Sequence, residues 1–305
     1  MLNEALFGGV NAAVLTPMNA DCTVDLDRMA RHCRWLLANG CNGLAILGTT
    51  GEANSLGIEE RIAVMEGLVG RGIPASKLMP GTGTTALTDT VLLTRRAAAL
   101  GCRGALLLPF YYKNPSDDGL FAYFSEVVQR TDGAIKLYLY HFPQQAVIGF
   151  GLALVGRLLS AFPGIVKGIK DSSGDFANTR AYAGQFARDG FEVYAGDDSL
   201  LCQMLAVGGA GCITAAANVN CAIAARVCGE GNSTAGDEAQ RVLTATRRAV
   251  TSVPLIPGLK SLVARNTGHP SWTNIRPPLQ SLTAAQEATL FAAFDACGVT
   301  LAKAA

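Results

Sequence analysis

The chain has 305 residues with 25 basic and 24 acidic side chains, a formal net charge of +1. Half of it is apolar and only 16% is charged, so a large core can form, and disorder, which needs low hydrophobicity and high net charge, is excluded. Near-neutral charge without a Lys/Arg cluster argues against nucleic acid or an anionic membrane surface as main partner, and no run of about 18 apolar residues free of charge and proline is present to span a membrane.

A short apolar run ending in Gly, Thr, Pro or Asp, then a segment with helical spacing, recurs down the chain. The runs are 9–18, 43–50, 77–83, 104–110, 135–142, 165–171, 191–198 and 211–219. Helices are predicted between them over 26–38, 59–69, 89–100, 119–129, 152–161, 176–187 and 200–206, with another beginning near Cys221. The first shows Leu26, Met29, Ala30, Cys33, Leu36 and Leu37 on one face of period 3.6. Runs such as Leu44-Ala45-Ile46-Leu47 are continuously apolar, as in parallel strands covered by helices on both faces. Eight β-then-α units predict an α/β fold, a (β/α)8 TIM barrel, over residues 1–225. A doubly wound sheet would carry a Gly-x-Gly-x-x-Gly turn where Thr16-Pro17-Met18 stands. Residues 226–305 read as a C-terminal helical region, with helices over 237–250 and 283–296. Pro254-Leu255-Ile256-Pro257-Gly258-Leu259-Lys260 and the Arg276-Pro277-Pro278 turn are read as the separators.

The nine cysteines (Cys22, Cys33, Cys41, Cys102, Cys202, Cys212, Cys221, Cys228, Cys297) form no Cys-x-x-Cys pair, and His32, His141 and His269 are the only histidines. Ligands for a structural zinc are therefore few, and buried reduced thiols in a reducing compartment are expected. No Lys or Arg precedes Arg28, so a secretory n-region is missing. A cytoplasmic location is the expectation.

Catalytic groups of such a barrel come from the C-terminal ends of its strands. Lys170 ends the run Ile165-Val166-Lys167-Gly168-Ile169-Lys170, and its parity is opposite to that of Lys167. An ammonium facing a barrel interior loses hydration, which favours the free amine and Schiff-base chemistry; the bland alternative is a lysine reaching solvent or pairing with Asp171 or Asp175. Tyr140 ends the neighbouring strand and can carry protons for imine chemistry; alternatively it is an amphipathic tyrosine at a wet edge. His141 has the other parity and is expected behind the sheet, as a reserve acid/base. Gly48-Thr49-Thr50-Gly51-Glu52 can present N–H and O–H donors to a carboxylate, although many turns contain Gly and Thr. Gly81-Thr82-Gly83-Thr84-Thr85 lacks the Gly-Lys-Ser/Thr of a P-loop. Asp171, Asp175, Asp197 and Asp198 offer a Mg²⁺ set, or else caps and turns.

Taken together, Thr16-Pro17, Gly48-Thr49-Thr50-Gly51-Glu52 with Leu56, Pro109-Phe110-Tyr111-Tyr112 with Pro115-Ser116, Tyr140 with Pro143, Gly168-Ile169-Lys170-Asp171 with Gly174, Gly196-Asp197-Asp198 and Gly211-Cys212-Ile213 resemble the dihydrodipicolinate synthase / N-acetylneuraminate lyase family of class I (Schiff-base) aldolases. The resemblance covers residues 7–220. It implies a barrel with C-terminal helices, a homotetramer built as a dimer of dimers, and small-molecule substrates: pyruvate or another 2-oxo acid, and an aldehyde. Lys170 would be the Schiff-base lysine and Tyr140 the proton shuttle. Thr49 and Thr50 would bind the pyruvate carboxylate, Thr50 also passing protons to a tyrosine from a neighbouring chain, for which Tyr112 is the best match and Tyr111 the alternative. Gly196 and Ile213 would line the pocket. No metal or organic cofactor is implied.

One position departs from the pattern. Members that condense pyruvate with aspartate semialdehyde carry an arginine two residues past the proline of Tyr-x-x-Pro, and here Gln145 stands there. A bidentate cationic clamp has become a neutral amide. The expected aldehyde is therefore less acidic, sugar-derived or aromatic. A genuine 4-hydroxy-tetrahydrodipicolinate synthase is the alternative, with a metal-dependent barrel lyase and a non-catalytic 2-oxo acid sensor as more distant ones. The loop 53–61 lacks the histidines of lysine-inhibited members, and Asp197-Asp198 replaces the aromatic-Glu pair of sialic acid lyases, so neither property is expected.

Overall fold

The structure is a computed structural model, and it describes residues 5–108 and 114–302. Seven strands run parallel: β1 (Gly9–Ala13), β2 (Gly43–Ala45), β3 (Gly104–Leu107), β4 (Lys136–His141), β5 (Val166–Asp171), β6 (Glu192–Ala195) and β7 (Gly211–Thr214), in the order β2-β1-β7-β6-β5-β4-β3. The remaining run, 77–83, lies between the two ends of that sheet. Met79 N–H donates to Leu44 C=O at 2.9 Å and Gly81 N–H to Ile46 C=O at 2.8 Å on one side; Thr82 N–H donates to Leu106 C=O at 3.0 Å and Leu106 N–H to Pro80 C=O at 2.9 Å on the other. Pro80 has no N–H and interrupts the ladder, so this eighth segment pairs as isolated bridges while still closing the ring. The fold is a (β/α)8 barrel.

Alternation along the strands sorts side chains into two cores. Val10, Ala12, Leu44, Leu107, Leu137, Leu139, Ile169, Val193 and Cys212 face the surrounding helices, while Phe7, Ala45, Met79, Leu106, Tyr138, Tyr140, Tyr194 and Ile213 fill the barrel interior. Near-continuous apolar strands are what burial on both faces requires. Sequence-predicted helices appear at Leu26–Ala38 and Leu152–Ala161, and at Ile58–Gly70, Leu87–Ala99, Asp117–Arg130 and Phe176–Phe186 with ends moved by one or two residues. Their starts have local causes: Asp25, Ser116 and Asp175 each accept a backbone N–H of the following first turn.

Beyond the eighth barrel helix, Ala217–Glu230, come helices Thr234–Val250, Leu255–Thr267 and Ala284–Asp295. The middle one was read from the sequence as a separator. Pro257 and Gly258 look like breakers, but Pro257 sits in the first helical turn, where its missing N–H had no intrahelical partner to lose. These helices share a core with Leu15, Ala215 and Ala216 from the barrel's C-terminal end, which brings the segment preceding Leu255–Thr267 to the mouth of the barrel. Among the described residues no helix is long and apolar enough to cross a membrane.

Candidate active site

The site is assembled at the C-terminal ends of β4, β5 and β6. The register sets Tyr140 beside Lys170 and Lys170 beside Tyr194, and all three point into the barrel. Lys170 is 6% exposed, and its Nζ lies 4.1 Å from the centre of the Tyr140 ring. It has no ion-pair partner among the described residues. Its neighbour of opposite parity, Lys167, instead reaches out to donate to Gly190 C=O at 2.7 Å.

The loop after β2 supplies the hydroxyls. Leu47 and Glu52 hold left-handed conformations on either side of it, at φ of 55° and 56°, each costing on the order of 1 kcal/mol or more unless surrounding contacts enforce it. Those contacts are present. Thr16 Oγ1 donates to Gly51 C=O at 2.8 Å. Glu52 is buried in an ion pair with Lys260, which also donates to Asn274 C=O at 2.9 Å. A Cβ on Gly51 would come within 2.9 Å of Val14 C=O, so only glycine lets the loop lie against β1. The loop presents Thr49 and Thr50 to the cavity. Neither hydroxyl, nor the Tyr140 phenol, has a hydrogen-bond partner among the described residues. They line the cavity and are free to bond a ligand there.

Lys170, Tyr140, Thr49, Thr50, Gly196 and Gln145 line one cavity of about 330 Å³. Glycine is obligatory at 196, because a Cβ there would stand 2.9 Å from the Asp171 C=O and from Ser172 Cα. Ile213 is not on this wall: fully buried, it belongs with Tyr140 to the interior core, and Ala215, just past the end of its strand, is the residue that reaches the cavity. Tyr111 and Tyr112 lie outside the described residues.

The remaining candidates have structural partners. His141 is behind the sheet, its Nδ1 accepting Phe150 N–H at 2.9 Å, and burial pushes its pKa down while Asp171 pulls it back. Asp171 accepts from Ser173 N–H, Asn178 and Thr179 at 2.7–2.9 Å. Asp175 caps a helix, Asp197 accepts Ser199 N–H, and Asp198 is sealed between Asn220 and Thr214. Among the described residues no three His, Cys, Asp or Glu side chains are grouped as metal ligands. A Cβ at Gly81 would meet Leu47 C=O at 2.3 Å and one at Gly83 would meet Leu108 N at 2.8 Å, so those glycines serve the close approach of strands. Sequence reasoning missed the far wall of the cavity: Arg247, Pro254, Leu255, Ile256, Pro257 and Leu279. Only the proline-bounded apolar stretch 254–257 signalled it.

The comparisons agree with this geometry. The Dihydrodipicolinate synthetase family model matches residues 6–296. The chain belongs to that family. It is 33% identical over 291 residues to an Uncharacterized DapA-like lyase of Chloroflexus aurantiacus, covering 94% of this chain and 96% of that one. It is 35% identical over 217 residues to the 4-hydroxy-tetrahydrodipicolinate synthase of Listeria monocytogenes, covering 70% and 71%. Among solved structures, dihydrodipicolinate synthase from Agrobacterium tumefaciens superposes with a TM-score of 0.85 at 34% identity over 95% of this chain and 99% of that one. YagE of E. coli K12, a family protein solved in complex with pyruvate, superposes with a TM-score of 0.89 at 27% identity over 97% and 100%. The protein is a family lyase of the class I aldolase type.

Proposed function

We propose that Lys170 forms an imine with pyruvate and that the cavity joins this unit to, or cleaves it from, an aldehyde other than aspartate semialdehyde. The observation that carries this reading is a buried lysine amine, 4.1 Å from a tyrosine ring, in a cavity shared with two hydroxyls, none of the three groups having an ion-pair or hydrogen-bond partner among the described residues. The amine attacks C2 of the 2-oxo acid and the C2–N bond forms. The carbonyl oxygen takes up protons through the Tyr140 phenol and leaves as water, giving a protonated imine, an electron sink. Loss of a C3 proton gives an enamine whose C3 adds to the aldehyde carbon; the aldehyde oxygen takes a proton, and water then releases the product from Lys170. The reverse sequence cleaves a longer 2-oxo acid to pyruvate. Thr49 and Thr50 hold the carboxylate, and Thr50 passes protons to a tyrosine of a neighbouring chain, for which Tyr112, or else Tyr111, is the proposed residue. Gln145, at the cavity edge, offers an uncharged amide where a carboxylate-binding arginine would favour aspartate semialdehyde.

The assembly is proposed as a cytoplasmic homotetramer, a dimer of dimers, with residues 1–225 as catalytic barrel and 226–305 as helical region; free cysteines throughout accord with a reducing compartment. The test is a pyruvate-release screen over 2-oxo-3-deoxy sugar acids and aromatic aldol adducts, beside condensation with aspartate semialdehyde and with EDTA present. Release from the former, with weak condensation and no loss to EDTA, is expected. Aspartate semialdehyde as the best substrate contradicts the aldehyde assignment.

A further inference from the structure

Arg247 comes from the helix Thr234–Val250, far along the chain from the reacting groups, and lines the same cavity. Its Nε lies 3.6 Å from Asp197 Oδ1 and its Nη1 3.8 Å from Asp198 Oδ1. These are ion-pair separations, too long for hydrogen bonds. Nη1 is sealed from solvent with no hydrogen-bond partner, and no other hydrogen bond engages the guanidinium among the described residues. Arginine carries five N–H donors; leaving the sealed Nη1 without an acceptor is costly, and the side chain, 18% exposed, has donors left to offer on the cavity side. Both carboxylates have donors elsewhere: Asp197 Oδ1 accepts Ser199 N–H at 2.9 Å, and Asp198 accepts from Asn220 at 2.8 Å and Thr214 at 3.2 Å. A fixed cation with donors to offer thus stands on the cavity beside an acceptor, Asp197.

The charge count decides what fits. One cation between two carboxylates gives no net positive field, so a second carboxylate on the substrate would meet Asp197 without a matching surplus of positive charge. A bare alkyl chain would leave the guanidinium as unsatisfied as it is now. A hydroxyl both accepts and donates, and so answers an arginine and an aspartate placed side by side.

Building on the imine reading, we propose that Arg247 is a specificity-determining residue that, with Asp197, holds a hydroxyl on the aldehyde-derived half of the substrate. The preferred partner is then an uncharged, polyhydroxylated, sugar-like aldehyde. Gln145 supplies a further amide on the same cavity wall, and Leu255 and Ile256 pack the carbon chain.

The experiment compares condensation of pyruvate with glyceraldehyde, propanal and succinic semialdehyde in the wild type, Arg247→Lys and Arg247→Met. The wild type favours glyceraldehyde over both others. Arg247→Met lowers the glyceraldehyde-to-propanal ratio of kcat/KM by about tenfold or more, chiefly through the KM of the aldehyde, as expected for a lost hydrogen bond to a charged donor. Arg247→Lys retains a cation facing the buried Asp198, so it keeps the test open should the methionine variant not fold. It loses part of the preference because it lacks the planar fork. An unchanged ratio in both variants overturns the proposal, as does a wild type that prefers propanal or succinic semialdehyde, or that turns over no aldehyde while borohydride still fixes pyruvate on Lys170. Failure to fix pyruvate on Lys170 overturns instead the imine reading on which the proposal rests.

Discussion

The two ends of the barrel interior are built by the same strands and treat their polar groups in opposite ways. Toward the N-terminal end, Glu192 accepts from the Tyr138 phenol at 2.8 Å, from Leu6 N–H at 2.8 Å and, at 2.6 Å, from the phenol of Tyr194, whose backbone is in register with Lys170. Burial drives both phenol pKa values far up, with the Glu192 charge adding to the effect; these protons are held. Two residues further along β4, the Tyr140 phenol has no such partner among the described residues, and two residues beyond Gly168 on β5 the Lys170 amine faces its ring. A satisfied polar network stabilises a fold, whereas an unsatisfied one is kept where a ligand completes it.

The two buried lysines teach the same lesson. Lys260 is fully buried, and burial lowers its pKa while the Glu52 carboxylate pulls it back up. Paired with a carboxylate, its lone pair remains tied to a proton. Lys170 is also buried, and among the described residues it has no ion-pair partner. One amine is committed to a carboxylate, while the other is left open to a substrate carbonyl.

Substitutions can break this contrast. Lys170→Ala has the largest expected effect, a loss of kcat/KM on the order of 10⁴ or more with the fold intact, read by steady-state kinetics beside circular dichroism. Lys260→Met strands Glu52 as a lone buried charge and is expected to cost about 3–5 kcal/mol of stability in urea unfolding, while pyruvate still becomes fixed on Lys170 under conditions where the variant is folded. A fully stable Lys260→Met would contradict the clamp assigned to this pair.

The phenols sharpen the comparison further. Tyr140→Phe removes no hydrogen bond among the described residues and leaves stability unchanged within about 0.5 kcal/mol, yet is expected to slow turnover by about 10²-fold. Tyr194→Phe reverses the pattern, losing about 1 kcal/mol of stability through its bond to Glu192 and little rate. Equal effects of the two on rate would erase the distinction between a phenol bound to Glu192 and one left open to the cavity.

A further effect concerns acid. Burial pushes the His32 imidazole from 6.5 down to about 4, opposed by its bond with Asn218 at 2.9 Å. Asn218 donates its amide protons to Ala13 and Ala215 carbonyls, so its oxygen accepts, and His32 is the neutral Nε2–H form. The unfolded chain binds this proton below pH 6.5 and the folded chain only below about 4. The stability is therefore present above pH 6.5 and is lost as pH falls from there toward 4, by up to about 3 kcal/mol. His32→Gln should flatten that limb of a urea-midpoint profile; an unchanged slope contradicts it.

Much of this was legible in the sequence, for identifiable reasons. Strand alternation separated Lys170 from Lys167 and Tyr140 from His141, and continuous apolar runs announced strands covered on both sides. What escaped reading depended on tertiary contact. The strand over 77–83 pairs through bridges because of Pro80. The helix Leu255–Thr267 hides behind Pro257 and Gly258. Ile213 sits one layer below the cavity because its strand runs past it. Arg247 carries no local motif, and only its packing against Asp197 and Asp198 brings it to the site.

The most direct test of the central claim is to incubate the protein with pyruvate, reduce with borohydride and map the adduct by peptide mass spectrometry. The account predicts one pyruvate-derived mass increment on Lys170, with Lys167 and Lys260 unmodified. Label on either of those lysines with Lys170 untouched, or no covalent adduct at all, would contradict it.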